Sequence, residues 1–213
     1  GLSGVTQKTT ATSVLAVANQ YFIDNLNNFG GTFRRSNLLA SVDAISPAIL
    51  NSRVEVKMQQ RFEPSLNVST SYDIQFPARF AEPNLTLPIL SSSTFIFNNR
   101  ICQIKNRLGS RTLQILNSSG NVEVDNIGSI VPETGTISLV GFNPTGITSG
   151  SNFLKMTVNP SNEATIKPLR NYVLSLDTEP SFDAAVVDRQ LLSSTIGGIS
   201  SSSSSSSPSY SSY

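Results

Sequence analysis

The sequence predicts an α+β protein that is mostly β: two N-terminal helices, then an antiparallel β sandwich or open barrel, then a low-complexity C-terminal arm. Near the N terminus, apolar residues recur at three- and four-residue spacing, which is typical of amphipathic helices. Further on, short alternating segments are separated by turn residues about every ten positions, which favours a sandwich or barrel. The unbroken serine run Ser200–Ser207 cannot form a core.

The first helix is predicted over Thr10–Asn28, and Gly30 and Gly31 follow it where a left-handed C-cap would lie. The second is predicted over Ser36–Ala44, with Ser36 as its N-cap and Pro47 as its stop. The residues that form the mostly apolar stripes are Val14, Val17, Ala18, Tyr21, Phe22, Asn25 and Leu26 in the first helix, and Leu38, Leu39 and Val42 in the second.

Strands are predicted wherever apolar and polar residues alternate or where β-branched and aromatic residues cluster between turn signals. Asn98–Asn99 is predicted to form a hairpin turn. The predicted strands are Arg53–Gln59, Ser69–Phe76, Thr94–Phe97, Ile101–Lys105, Thr112–Leu116, Val122–Asp125, Thr136–Val140, Phe153–Val158 and Asn171–Leu176. We therefore divide the chain into a helical contact region with the first strand (1–62), a β-rich domain (63–177) and an extended Ser-rich arm (178–213).

The composition argues against catalysis. The chain has no histidine, and Cys102 is its single cysteine, so histidine-activated nucleophiles and the usual zinc sites are excluded. Its fourteen carboxylates are scattered and suggest no catalytic pair, which makes a hydrolase the least supported function. We expect no enzyme activity, no cofactor and no metal.

The overall charge and hydropathy limit the kinds of partner that the chain is expected to bind. A net charge of +1 gives no general attraction to nucleic acid, and no apolar run approaches the length of a membrane span. The lone cysteine fits a reducing cytoplasm better than an oxidising compartment. Charged residues make up only 14% of the chain, a level that suits surfaces packed against other proteins.

Arg34 and Arg35 form the most distinctive short motif, because two guanidinium groups directly precede a predicted helix. A phosphate or nucleic-acid site is one interpretation. The absence of a basic stripe with interleaved aromatics favours arginine–carboxylate contacts, either within the fold or across an interface.

Two further groups of apolar residues are candidates for protein contacts. The first is expected to be buried in the core or at a subunit contact because its members are costly to expose: Phe22, Leu26, Phe29 and Phe33. The second lies in the arm, which is expected to order against neighbouring subunits, although a plain disordered tail stays open for 200–213: Val186, Val187, Leu191, Leu192, Tyr210 and Tyr213.

Four stretches resemble the baseplate wedge protein of T-even-like contractile-tailed phages, in the baseplate-J-like family. They are NLNNFGGTFRRSNLLASVD at 25–43, ILNSRVEVKMQQRF at 49–62, FIFNNRICQIKNRL at 95–108 and VDNIG at 124–128. The resemblance covers roughly residues 20 to 176, and the serine tail has no counterpart in it.

This resemblance implies a structural protein of the virion tail baseplate, assembled in the host cytoplasm. In the family, two copies occur per wedge, and the C-terminal region helps to pair copies into the inner baseplate ring of the contractile DNA-ejection machine. The implied partners are the protein itself, other wedge proteins and a sheath-initiator-like subunit, without direct nucleic-acid binding or membrane insertion. The chain would then be the C-terminal region of a longer polypeptide.

An alternative function is a β-sandwich recognition module of a tail fibre that binds host-surface carbohydrate. Such modules usually present aromatic platforms to sugars. This chain has no tryptophan and five tyrosines, two of which lie in the serine-rich tail. The sequence therefore favours the assembly function.

Overall fold

The computed structural model describes residues 4–47, 49, 52–169 and 172–177, with side chains from residue 11 onward. This part is α+β and mostly β, as the sequence predicts. The helices are α1 (Gly4–Leu26) and α2 (Arg35–Asp43). The strands are β1 (Phe33–Arg34), β2 (Met58–Phe62), β3 (Thr70–Gln75), β4 (Leu90–Ser92), β5 (Phe95–Phe97), β6 (Arg100–Asn106), β7 (Thr112–Asn117), β8 (Val122–Val131), β9 (Thr136–Phe142), β10 (Gly146–Ile147), β11 (Leu154–Val158) and β12 (Thr165–Ile166).

Ten of these strands form one antiparallel sheet that nearly closes into a barrel. The order along the sheet is β2-β11-β4-β6-β7-β8-β9-β3, and β5 with β10 extends from β6. The two terminal strands approach each other at a seam, where the ring centroids of Phe62 on β2 and Tyr72 on β3 are 5.0 Å apart. Aromatic packing therefore brings the ends of the sheet together.

The barrel interior is filled by the inward-facing residues of each strand, because side chains alternate between the two faces. On β11, Leu154, Met156 and Val158 are buried, whereas Lys155 and Thr157 between them are only partly covered. Phe95 and Phe142 meet edge to face at the centre, with ring centroids 5.1 Å apart. Such geometry is favoured by the aromatic quadrupole.

The helices are attached at one end of the barrel, which we call the helical end. There β1 pairs with β12, with Phe33 opposite Ile166. Three connections between strands also lie at the helical end: 107–111, 132–135 and the long connection 76–89. The antiparallel pairing of the strands that flank them places their ends together there. The turns 98–99 and 118–121 lie at the opposite, distal end.

Residues 172–177 run along the barrel from the helical end toward the distal end. The Tyr172 hydroxyl donates to the carbonyl of Gln75 at 3.4 Å. At the other end of this segment, Asp177 contacts Arg61 at 2.8 Å and Lys155 at 3.3 Å. The predicted strand Asn171–Leu176 is wrong for the described residues 172–176, because they form no backbone ladder. The Tyr172 contact and the packing of Leu174 and Leu176 against the core hold the segment instead.

The predicted strand Arg53–Gln59 is also misplaced, because β2 begins only at Met58. Val54 and Val56 do alternate as predicted, and both pack against the core from an extended segment outside the sheet. Alternation thus reports one-sided burial, which does not require strand pairing. By contrast, the predicted hairpin turn is confirmed, since Asn98 and Asn99 have φ angles of 49° and 59°.

The helix boundaries differ from the prediction for local reasons. Helix α1 begins at Gly4 instead of Thr10, and it ends at Leu26 instead of Asn28. Helix α2 begins at Arg35, and Arg34 in place of Ser36 occupies its N-cap position without a side-chain cap. The Arg35 N–H instead donates to the carbonyl of Ala164 at 2.9 Å. The first N–H group of the helix, which has no partner within the helix, is therefore satisfied by the residue before β12.

Candidate interaction surfaces

An aromatic cluster joins α1 to β1. The rings of Phe22 and Phe33 stack with centroids 5.7 Å apart, and Tyr21 meets both edge-on. Phe33 and Leu26 are fully buried, as the sequence predicts for core positions, and Phe22 is partly buried against them. Leu26 and Phe33 therefore stabilise the chain itself and offer no surface to a neighbour in this conformation.

Phe29 lies outside this cluster and outside the core, so of the two predicted places only the subunit contact remains. It is 76% exposed. The next residue, Gly30, has a φ of +75° and donates its N–H to the carbonyl of Tyr172 at 3.2 Å. This turn directs the chain back toward β1 and leaves the Phe29 ring on the surface, where it stays a predicted contact for another subunit.

The two adjacent arginines have different environments. Arg35 lies 3.5 Å from Glu163, in the loop before β12, which matches the predicted arginine–carboxylate contact within the fold. Arg34 is exposed and forms no ion pair within the described part of the chain. Arg34 therefore stays a predicted interface residue, while Arg35 helps to fix α2 on the barrel.

The predicted contacts of the arm lie outside the described residues. These are Val186, Val187, Leu191, Leu192, Tyr210 and Tyr213. Within 4–47, 49, 52–169 and 172–177, no helix is both long and apolar enough to cross a membrane.

Helix α1 has an apolar face longer than the part of the molecule that covers it. Its 23 residues span about 34 Å at roughly 1.5 Å per residue, whereas the 9 residues of α2 span about 14 Å. Ala18 and Tyr21 are buried, whereas Ala11, Val14 and Leu15 on the same face are only partly buried, with Val14 packed against the core. We call these three residues the half-covered face of α1. The first half of α1 thus presents apolar side chains that the described chain does not fully cover.

A second apolar surface lies at the helical end and was not predicted from the sequence. We call residues 84–87 together with Leu108 the leucine tip. Leu85 is 81% exposed, Leu87 is 67% exposed and Leu108 is 45% exposed. The available sequence signal was a pair of leucines in an uncharged segment bounded by Pro83 and Pro88.

The leucine tip is held in one conformation by its own hydrogen bonds. The Asn84 side-chain oxygen accepts from the N–H groups of Thr86 at 2.8 Å and Leu87 at 3.0 Å. The Asn84 carbonyl accepts from the Gly109 N–H at 2.7 Å, and Leu85 lies directly over Gly109. These bonds join the tip to the β6–β7 turn, so little conformational entropy remains to be lost on binding.

A three-residue ion cluster stands beside the tip. Arg111 contacts Glu82 at 3.0 Å and Glu133 at 2.6 Å, which joins the connection before the tip to the β8–β9 turn. The Arg111 hydrogen bond holds the pKa of Glu133 below its ordinary value. Both carboxylates are exposed to solvent and form ion pairs with the same guanidinium group. This arrangement is typical of a structural ion cluster and not of a catalytic acid–base pair.

The other polar groups of the described chain also lack the features of a catalytic site. A surface depression of about 450 Å³ lies between Arg100 and the turn 118–121, and Arg100 there contacts Glu123 at 2.7 Å. Burial raises the pKa of the Cys102 thiol, which disfavours the reactive thiolate. Among the described side chains, no group of three or more Cys, Asp or Glu residues could hold a metal ion.

Comparisons with known proteins identify no relative of this chain. Neither protein-family models nor curated proteins match this chain. The candidate surfaces are therefore defined by their geometry alone: the half-covered face of α1, the exposed Phe29 and Arg34, and the leucine tip.

Proposed function

We propose that the chain is a non-enzymatic assembly module that binds a second copy of itself through α1. The supporting observation is that the apolar face of α1 continues past the residues that cover it. Ala11, Val14 and Leu15 lie on the same face as the buried Ala18 and Tyr21, yet they are only partly buried. The part of α1 that precedes Ala18 is only about four turns long. A helix of that length is marginal in water by itself, so a partner that covers its apolar face would stabilise it.

The chemistry of this face favours a second copy as the partner. From Thr9 to Ile23 the helix contains no charged residue. A surface without charge can meet its own copy around a two-fold axis with no like-charge repulsion, and both copies then bury the same apolar residues. Exposed Phe29 and Arg34 stay predicted subunit contacts in addition to this face.

The more specific proposal is a wedge subunit of a contractile-tail baseplate, located in the virion and assembled in the host cytoplasm. Its support is the resemblance of residues 25–43, 49–62, 95–108 and 124–128 to that family. Self-pairing through α1 would correspond to the paired copies in a wedge, and further surfaces would bind other wedge proteins and a sheath-initiator-like subunit. Rigid elements with large contact surfaces are what a ring component needs.

The test of self-pairing is a charge placed on the half-covered face. We expect Leu15→Asp to weaken dimerisation about ten-fold or more, because a carboxylate would be desolvated in an apolar contact. Ala16→Asp is the matched control: it adds the same charge to the same turn, but on the exposed opposite face. Sedimentation velocity over a concentration series measures both variants.

Circular dichroism melting shows whether each variant keeps its fold, so a loss of dimer is not confused with unfolding. Equal dimerisation of the wild type, Leu15→Asp and Ala16→Asp would contradict pairing through α1. A wild-type chain that is monomeric at all concentrations and binds a glycan array would favour the carbohydrate-recognition function instead.

A further inference from the structure

The leucine tip has the properties of a binding site for an apolar segment. It is uncharged from Pro83 to Pro88, its leucines are largely exposed, and its backbone is fixed by Asn84 and Gly109. An apolar cluster with a rigid backbone and a polar border, here Arg111 with Glu82, resembles the centre of a protein-binding surface.

We propose that the leucine tip of one copy binds the C-terminal segment 182–196 of a second copy. This inference rests on the proposed function, self-assembly, and adds a contact separate from α1. The segment supplies the apolar side chains that such a contact needs: Phe182, Val186, Val187, Leu191, Leu192 and Ile196.

The direction of the chain favours a second copy over the same copy. Tyr172 lies near Gln75 at the helical end, and Asp177 is held by Arg61 and Lys155 toward the distal end. The chain thus runs away from the tip of its own molecule as it approaches residue 178. Binding to its own tip would require it to reverse along the barrel, whereas a neighbour stacked at the distal end would present its helical end directly.

The length and the charge of the segment also fit. Val186 lies nine positions after Asp177, a reach of roughly 30 Å when extended. Within 182–196 the charged residues are Asp183, Asp188 and Arg189, so the segment has a net charge of only −1. A segment that is mostly apolar and carries little net charge therefore matches an apolar tip that is itself uncharged.

The contact would be heterologous, because the tip and the segment are different surfaces. Each copy would bind one neighbour with its tip and another with its segment. Repetition of such a contact produces a closed ring or an open filament. Pairing through α1 and head-to-tail contact through the tip could then occur in the same assembly.

Disulfide trapping between two single-site variants tests this contact. Thr86→Cys places a thiol on the tip, and Ala185→Cys places one in the segment; native Cys102 is buried and stays in place. We expect a mixture of the two proteins to form an intermolecular disulfide under mild oxidation. A disulfide requires the two Cα atoms to approach within about 7 Å. Ser119→Cys, exposed in the distal turn 118–121, replaces Thr86→Cys as the control.

The leucine side chains should be necessary for this reaction. We expect Leu85→Ser with Leu87→Ser to slow disulfide formation about ten-fold, while the melting temperature stays close to that of the wild type because both side chains are exposed. Equal trapping at Thr86→Cys and Ser119→Cys would overturn the proposal, as would a disulfide that forms only when both cysteines are in one chain. A protein that dimerises through α1 but shows no tip disulfide would retain the proposed function and refute this inference alone.

Discussion

Replacement of Asn106 by alanine is expected to destabilise the barrel by about 3–5 kcal/mol. Asn106 is 3% exposed, and its side-chain oxygen accepts from the N–H groups of Ile89 at 2.8 Å and Leu90 at 3.0 Å. Its amide nitrogen donates to the carbonyls of Arg107 at 3.0 Å and Ser110 at 3.3 Å. Alanine would leave the buried N–H groups of Ile89 and Leu90 without partners and free the β6–β7 turn that supports the leucine tip.

Urea unfolding of the purified chain measures this effect. Asn121→Ala is the matched control, because that side chain is exposed in the distal turn, and we expect a change within about 0.5 kcal/mol. A loss below about 1 kcal/mol for Asn106→Ala would show that water replaces the four hydrogen bonds and that Asn106 does not anchor the tip.

Replacement of Gly128 by alanine is expected to cost about 3–5 kcal/mol, through steric collision as well as backbone strain. Gly128 on β8 has a φ of +147°, and a Cβ there would lie 1.9 Å from the carbonyl oxygen of Ser138 on β9. Because the obstacle is a backbone carbonyl in a paired strand, no side chain can move aside. The two strands would have to separate at the point where Gly128 pairs with Leu139.

Gly120→Ala separates the two contributions. Gly120 also has a positive φ, +83°, but a Cβ there would meet no atom within 4 Å. We expect that substitution to cost only the strain of the left-handed conformation, about 1 kcal/mol. Equal stability of the two alanine variants in thermal and urea unfolding would contradict the close approach of β8 and β9.

The sequence predicted the fold class and most of the long strands, because their alternation directly reflects burial on one face. Leu113 and Ile115 on β7, for example, face the core, as their spacing indicates. The sequence could not predict β1 and β12, because each has two residues and exists only through pairing with a partner more than 130 residues away. The three-residue strand β4 is likewise too short for a periodic signal.

The candidate surfaces were predictable only in part. The aromatic spacing identified Phe22 and Phe33 correctly as packed residues, but it could not show that the turn at Gly30 exposes Phe29. The leucine tip depends on Gly109, whose contact with Leu85 spans more than twenty residues of sequence. Local patterns identify which side chains are apolar, whereas exposure depends on long-range contacts.

The central claim, assembly through the half-covered face of α1, is tested most directly by hydrogen–deuterium exchange of α1 at two protein concentrations. Residues 11–17 should exchange rapidly in dilute protein and become protected at high concentration, because a second copy then covers Val14 and Leu15. Residues 18–26 should be protected in both samples, since Ala18, Tyr21 and Leu26 are buried within the chain. Exchange of residues 11–17 at the same rate in both samples would contradict the claim.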